Sequence, residues 1–490
     1  GGTVPYYVFS VGGTGARCLE SLIYLCAMGI HLDQPLFPIF VDPDQSNGNI
    51  TRTIKLIQKY KLIREHLPRP SKDYLFNTEI IYSDKENSPN TTVKIPNLYN
   101  PNSGLDPAQN KLSHFIEYET KLQGTDYKFL ADLLFSKEEL NMDMSAGYRG
   151  IPSIGSILMT DIQNQAFWTE LRGRLEEDTA SRVFIFASLF GGTGASGYPV
   201  ISKLIKNASP TTKVGGVLML PYFKLKDPEN LQKYQESLKK EKIMPNSKSF
   251  MINAKTACEF YKNNYSQIDS NYFLGDDFEH CKQYENYAIG SAEQKNDAHM
   301  LELMAAYAAI DFFHRESGNF KPFYVIQVKN PDKNADITDV VAEDIPHQDK
   351  EKPFERFALL YHYINELFEL IDKDNAKLLD KIAWLRDLKI DDKKVRARDI
   401  IDKKTELSSL KELMDSFQEW IYQNHNNYAK LNILDYELKL DNLLTNNPNK
   451  YKGYHISHLD TKFYGKKTNQ NDLLGDMLEA MSLAKITEGR

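Results

Sequence analysis

The residues with the clearest chemical potential are glycines. Between Phe190 and Gly197 the chain reads Phe-Gly-Gly-Thr-Gly-Ala-Ser-Gly. The apolar run from Arg182 to Ala187 precedes it and reads as a buried strand. Tyr198 to Ile205 follows with apolar residues at helical spacing. This reading places Pro199 in a first helical turn. Strand, glycine-rich turn and helix together point backbone N–H groups and a helix dipole at a phosphate. Gly191, Gly192 and Gly194 permit positive φ and close ligand approach, while Thr193 and Ser196 offer hydroxyl donors. The same pattern also fits a tight βα turn that holds nothing.

The unit recurs. Pro5 to Ser10 reads as a strand and runs into Val11-Gly-Gly-Thr-Gly-Ala-Arg17. A helix is expected over Cys18–Met28, closed by Gly29 just past its end. A third glycine segment, Gly147-Tyr-Arg-Gly150, leads through Pro152 and Gly155 into a helix expected over Ser156–Glu177. Its Arg149 suits either a bidentate phosphate contact or a surface salt bridge. The strand Leu36–Val41 ends in Asp42-Pro-Asp44. A carboxylate placed there is what a dinucleotide fold uses to hold a ribose. Residues 5–45 alone therefore admit an oxidoreductase built on Gly12, Gly13, Gly15 and Asp42. That reading leaves the loops at 147 and 190 without a task.

The elements that must position these loops alternate strand and helix as far as residue 315, which predicts an α/β domain with a largely parallel sheet. Further strands are expected at Thr91–Ile95, Lys213–Pro221, Ser270–Gly275 and Phe323–Val328. Helices are expected at Ile54–His66, Leu112–Leu122, Tyr127–Phe135, Ile252–Tyr265 and Asn296–Arg315. The stretch Asn97–Pro107 reads as loop. In such a sheet the glycine loops all fall at the carboxyl ends of strands, where ligands bind. The 490 residues exceed one ordinary core. A net charge of −7 and a pI near 6.0 give no footprint for nucleic acid. No run is long and apolar enough for a membrane span. The start, Gly1-Gly2-Thr3, lacks a basic segment followed by an apolar one. Cys18, Cys26, Cys258 and Cys281 are scattered without a Cys-x-x-Cys pair, which fits a reducing cytoplasm and buried thiols.

Taken in order, these motifs resemble the tubulin/FtsZ superfamily, in a divergent prokaryotic form. Val11–Arg17 resembles the first phosphate loop. Val41-Asp-Pro-Asp-Gln45 resembles the loop after the second strand, with Asp44 on the family's acid. Gly147–Gly155 resembles the loop that faces the γ-phosphate, and Phe190–Gly197 resembles the tubulin signature. The resemblance implies a nucleotide-binding domain, GTP with Mg2+ (ATP being the alternative nucleotide) and self-association into head-to-tail filaments or oligomers. By it, Gly12, Gly13, Thr14, Gly15, Arg17, Gly191, Gly192, Thr193, Gly194 and Ser196 surround the phosphates. Gly147, Arg149 and Gly150 lie near the γ-phosphate. Asp42 and Asp44 belong to the same site, with Asp44 holding a magnesium-bound water or bracing the first loop. Asp276 and Asn296 stand where the family reads guanine, though Asp276 also reads as a turn residue and Asn296 as a helix N-cap. Phe190 and Ser196 depart from the signature glycines. The family's acidic motif after the central helix, which promotes hydrolysis in the next subunit, is missing. Glu316 is the candidate catalytic acid in its place, with an acid of Asn330-Pro-Asp-Lys-Asn-Ala-Asp336 as the alternative, and neither has the family's spacing.

The expected organisation is a nucleotide-binding domain over residues 1–320, with 46–140 as an insertion, then a strand and linker over 321–353. A mostly helical C-terminal domain covers 354–490, with helices at Phe354–Lys373, Ala376–Leu388, Lys404–His425 and Asp472–Ile486. Its apolar stripes build a local helical unit or a surface for a partner protein. Two functions follow from different classes: a GTPase that assembles, or a nucleotide-dependent scaffold or sensor with little hydrolysis.

Overall fold

The computed structural model describes residues 4–66, 75–83, 95–102, 109–145, 148, 151–178, 180–225, 247–264, 268–276, 281–284, 295–325, 339–340, 353–372, 389–390, 393–394, 405–427, 430–431, 474–475 and 478. The main sheet has seven strands: β1 (Tyr6–Val11), β2 (Leu36–Val41), β3 (Leu98–Tyr99), β4 (Arg182–Ser188), β5 (Lys213–Met219), β6 (Ser270–Leu274) and β7 (Phe323–Val325). Their order is β3-β2-β1-β4-β5-β6-β7, and every pairing is parallel. The central strands are buried on both faces, as their unbroken apolar sequences require. The expected α/β architecture is what forms.

The helices that use this sheet are α1 (Gly12–Ala27), α2 (Gly48–Glu65), α3 (Asp126–Leu134), α4 (Pro152–Met159), α5 (Ala166–Glu177), α6 (Gly192–Ala208), α7 (Ser247–Asn264), α8 (Met300–His314), α9 (Pro353–Asp372) and α10 (Thr405–His425). Residues alternate along the strands between two cores. Tyr6, Val8, Phe184 and Phe186 face α1, α2 and α8, while Tyr7, Phe9, Val183 and Ile185 face α4, α5 and α6. Outside α1 and α2, α9 and α10 close the first core. Trp420 lies 4.7 Å from Tyr24 between ring centroids, and Phe357 lies 5.8 Å from Phe76. The apolar stripes of these two C-terminal helices are thus met by the chain's own α1 and α2 side.

Several local expectations change. The glycines after β1 and β4 are themselves the first turns of α1 and α6, rather than loops ahead of them. Pro199 therefore sits inside α6 and not in its first turn. It cannot donate to Ala195 O, and Tyr261 Oη donates there instead at 3.2 Å. The helix expected over Ser156–Glu177 is broken by a 3₁₀ segment, Thr160–Asn164. Leu112–Leu122 yields only a four-residue helix, Leu112–Phe115. Leu98–Tyr99, read as loop, is an edge strand against β2. Most of Thr91–Ile95, and all of Ala376–Leu388, lie outside the described residues. Gly29 ends α1 as expected: its φ is +99°, its N–H donates to Cys26 O, and Ile30 N–H donates to Leu25 O. Among the described residues no helix is long and apolar enough to cross a membrane. All four cysteines are free thiols; Cys18, Cys26 and Cys281 are buried and Cys258 is half-buried.

Candidate functional site

The strand order reverses between β1 and β4. From β1 the chain moves outward to β2 and β3, then returns to β4 and continues the other way. Such a switch point opens a crevice at the carboxyl ends of the strands, because the following helices leave in different directions. Both tight glycine turns stand there. Gly12 has a φ of +76°, a left-handed conformation that turns the chain from β1 directly into α1. A Cβ on Gly15 would lie 2.8 Å from Phe186 O, and one on Gly194 would lie 2.7 Å from Ser188 N. Only glycine lets the first turns of α1 and α6 rest this closely on the strand ends. The turns also meet each other, since a Cβ on Gly12 would lie 3.5 Å from Thr193 Cβ. Neither helix has a side-chain N-cap, as Val11 and Gly191 occupy the cap positions. Two helix N-termini with uncapped amides therefore converge on one crevice, an arrangement that favours an anion.

The loop after β2 reaches the same edge. Asp42 and Asp44 are buried. Asp42 Oδ1 accepts from Asp44 N–H at 2.9 Å, and Asp44 Oδ1 accepts from Ser46 Oγ at 2.7 Å. Burial pushes the Asp42 carboxyl up to about 8, partly offset by the Asp44 amide, so the side chain is mainly protonated at neutral pH. Gly13 lies beneath Asn47 and Asn49 of the next turn; a Cβ there would be 3.1 Å from Asn49 Nδ2. Asn47 caps α2 by accepting from Asn49 N–H.

Ser196 and Arg17 are used differently from the sequence expectation. Ser196 is fully buried, and its Oγ lies 2.6 Å from Gly192 O, closing a turn of α6 under Gly155 of α4. Thr193 is partly exposed at the crevice. Arg17 is buried with four partners. Nε donates to Glu302 Oε2 (2.7 Å), Nη1 to Asn296 Oδ1 (3.2 Å), and Nη2 to Tyr222 Oη (2.8 Å) and Thr14 Oγ1 (3.1 Å). Tyr222 Oη donates to Glu302 Oε2 at 2.6 Å. Asn296 is further tied to Asn49 by two hydrogen bonds. This network ties the first glycine turn to the start of α8. That helix begins at Met300, capped by His299 and Glu302, so Asn296 stands ahead of it and is not its N-cap. Burial depresses His299 to about 3, keeping the imidazole neutral so that Nδ1 accepts from Leu301 N–H.

Asp276 follows β6 at the same edge and is partly buried. Gly147, Arg149 and Gly150 lie outside the described residues. Tyr148 between them is buried, and its hydroxyl donates to Asn102 Oδ1 at 3.1 Å. Glu316 is not brought to the crevice. It is exposed beyond the C-terminus of α8, where Arg182 at the start of β4 donates to Phe312 O and Phe313 O. That is the opposite edge of the sheet, about 22 Å away along the 15 residues of α8. Sequence reading missed Glu302, Tyr222, Asn49 and Arg52. The one available signal was Glu302, a charge set among the apolar residues of α8.

No family model matches the chain, and no curated protein matches it. Among solved structures, CetZ from Methanosaeta thermophila strain DSM 6194 is similar over 64% of this chain and 56% of that one, at 12% identity and a TM-score of 0.29. The chain thus spans little more than half of that protein's length.

Proposed function

We propose that this chain binds a nucleoside triphosphate across the β1/β4 switch point, GTP foremost, and associates head to tail in a nucleotide-dependent way. One observation carries the reading: two uncapped, glycine-started helices converge where the order of a seven-stranded parallel sheet reverses. In this reading amides of Gly12–Gly15 and Gly191–Gly194 cradle the phosphates, and Thr193 adds a hydroxyl. The crevice fits a magnesium-bearing triphosphate, because Mg2+ is commonly held by one or two carboxylates together with the phosphates. Asp42 and Asp44, in the loop after β2, would be its carboxylates. Mg2+ would neutralise phosphate charge; Asp42 would give up its proton to accept it. Guanine recognition falls to Asp276, which follows β6, and to Asn296, which stands ahead of α8. Preference for GTP over ATP rests on the family resemblance.

Glu316, at the far edge, reaches a phosphate only in a neighbouring subunit. A head-to-tail contact of that kind is heterologous and builds open filaments unless it closes. The absence of the family's acidic motif after Arg315 favours the other reading, a nucleotide-dependent scaffold or sensor with little turnover. Phosphate release measured across a series of protein concentrations separates them. For the assembling GTPase the rate per subunit climbs with concentration, and E316Q lowers it by about 100-fold. A low rate, flat in concentration and indifferent to E316Q, assigns the scaffold.

A further inference from the structure

One helix wears its apolar side outward. Of α3 (Asp126–Leu134), Ala131 is buried, as is Phe135 just past its end. Lys128 Nζ lies 3.9 Å from the centroid of the Tyr118 ring, and the Tyr118 hydroxyl donates to Asp132. Tyr127, Phe129, Leu130, Leu133 and Leu134 face water instead, each between 47% and 73% exposed. At 100° per residue these five cover an arc of about 160°, in which Asp126 at the N-terminal end is the one charge. A surface helix that belongs only to its own core does the reverse and turns its apolar stripe inward.

With about 200 Å² for a fully exposed side chain of this size, the stripe offers about 650 Å². The largest apolar patch on a typical monomer is about 300–600 Å². Set against the same stripe of a second copy, it gives about 1,300 Å² in all, within the range of about 1,200–2,000 Å² that stable interfaces bury. A helix that lies on a membrane carries Lys or Arg on its polar face. Here that face holds Asp132 and a single cation, Lys128, which pairs with Glu119 at 4.0 Å. The polar atoms of the stripe sit at one end only, on Asp126 and the Tyr127 hydroxyl. Antiparallel pairing leaves both ends in water at the rim, whereas parallel pairing would set Asp126 beside its own copy. We propose that α3 is a dimerisation helix, packed against α3 of a second copy, antiparallel about a two-fold axis near Leu130. Such a contact is isologous and closes at two. It is thus distinct from the head-to-tail association and does not rest on nucleotide binding.

The test is sedimentation velocity on the full chain over a concentration series, without added nucleotide or magnesium. The parent is expected to sediment as a dimer of its 56.3 kDa chain. F129E/L133E is expected to weaken the dimer by about 100-fold or more, with an unchanged urea midpoint because both positions are exposed. A two-fold axis also brings one residue against itself. L130C in a C258S background, which removes the half-buried thiol, is therefore expected to cross-link to its own copy with a short bismaleimide, and C258S alone is not. A monomeric parent, a dimer that F129E/L133E leaves intact, or a dimer without the L130C cross-link overturns the proposal. A monomer that floats with phosphatidylglycerol vesicles, and no longer does so as F129E/L133E, overturns the dimer and assigns the stripe to a lipid surface.

Discussion

Replacing Arg17 by Met tests the buried network most sharply. The guanidinium is 3% exposed and faces Glu302, which is fully buried, across 2.7 Å. The substitution keeps the apolar stem roughly filled and removes the charge. It leaves an uncompensated carboxylate in the interior, for which the expected loss is about 3–5 kcal/mol. Three more acceptors, on Asn296, Tyr222 and Thr14, lose the same donor. In R17M/E302Q the charge disappears with its partner, while the Gln oxygen still accepts from His299 N–H and its amide donates to Tyr222. More than half of the lost stability is expected to return. The assay is equilibrium urea unfolding, followed by tryptophan fluorescence and by circular dichroism to confirm a single transition. A cost of R17M below about 1 kcal/mol would refute the reasoning, since a pair this buried cannot be so cheaply broken. So would a double variant no more stable than R17M.

Other expectations follow from the same contacts. G15A and G194A push a Cβ against backbone atoms at 2.8 and 2.7 Å, and each should lose about 1–3 kcal/mol in urea unfolding. G173A, with open space around it in α5, should instead gain up to about 1 kcal/mol. Asp42 has its folded pKa raised to about 8 from 3.8, so the folded state holds the extra proton between those values. Its contribution is therefore full below pH 4 and is lost as pH rises toward 8. D42N, compared with the parent across that range, should gain relative stability as pH rises; a parallel pair of curves contradicts this. Y261F removes the donor that replaces the missing Pro199 amide at Ala195 O, and should cost about 1 kcal/mol by thermal or urea unfolding.

The parallel sheet was legible because its strands are short apolar runs and its turns are glycine-rich, both local signals. Leu36–Val41 and the helix near Thr405 fall where the pattern puts them. The start of α8 was not legible: Asn296 is a good cap by type, but His299 and Glu302 form the cap box, and burial keeps the imidazole in the neutral form that accepts. The glycines were read as loops since glycine disfavours helix, yet packing against β1 and β4 overrides that preference. Pro199 misled for the same reason. Arg17 shows the deeper limit. It stands in a phosphate-loop motif, but its partners lie more than 200 residues away in sequence, at Tyr222, Asn296 and Glu302. No local pattern announces a buried ion pair of that separation.

The claim that the switch point holds a triphosphate is tested most directly by equilibrium dialysis of radiolabelled GTP and ATP against the purified chain with magnesium. Nucleotide released from the protein as isolated would be run on a calibrated column in parallel. The account predicts one saturable site per chain, GTP held more tightly than ATP, and guanine nucleotide in the released fraction. Absence of saturable binding by either nucleotide would contradict it and leave the paired glycine turns as packing devices alone.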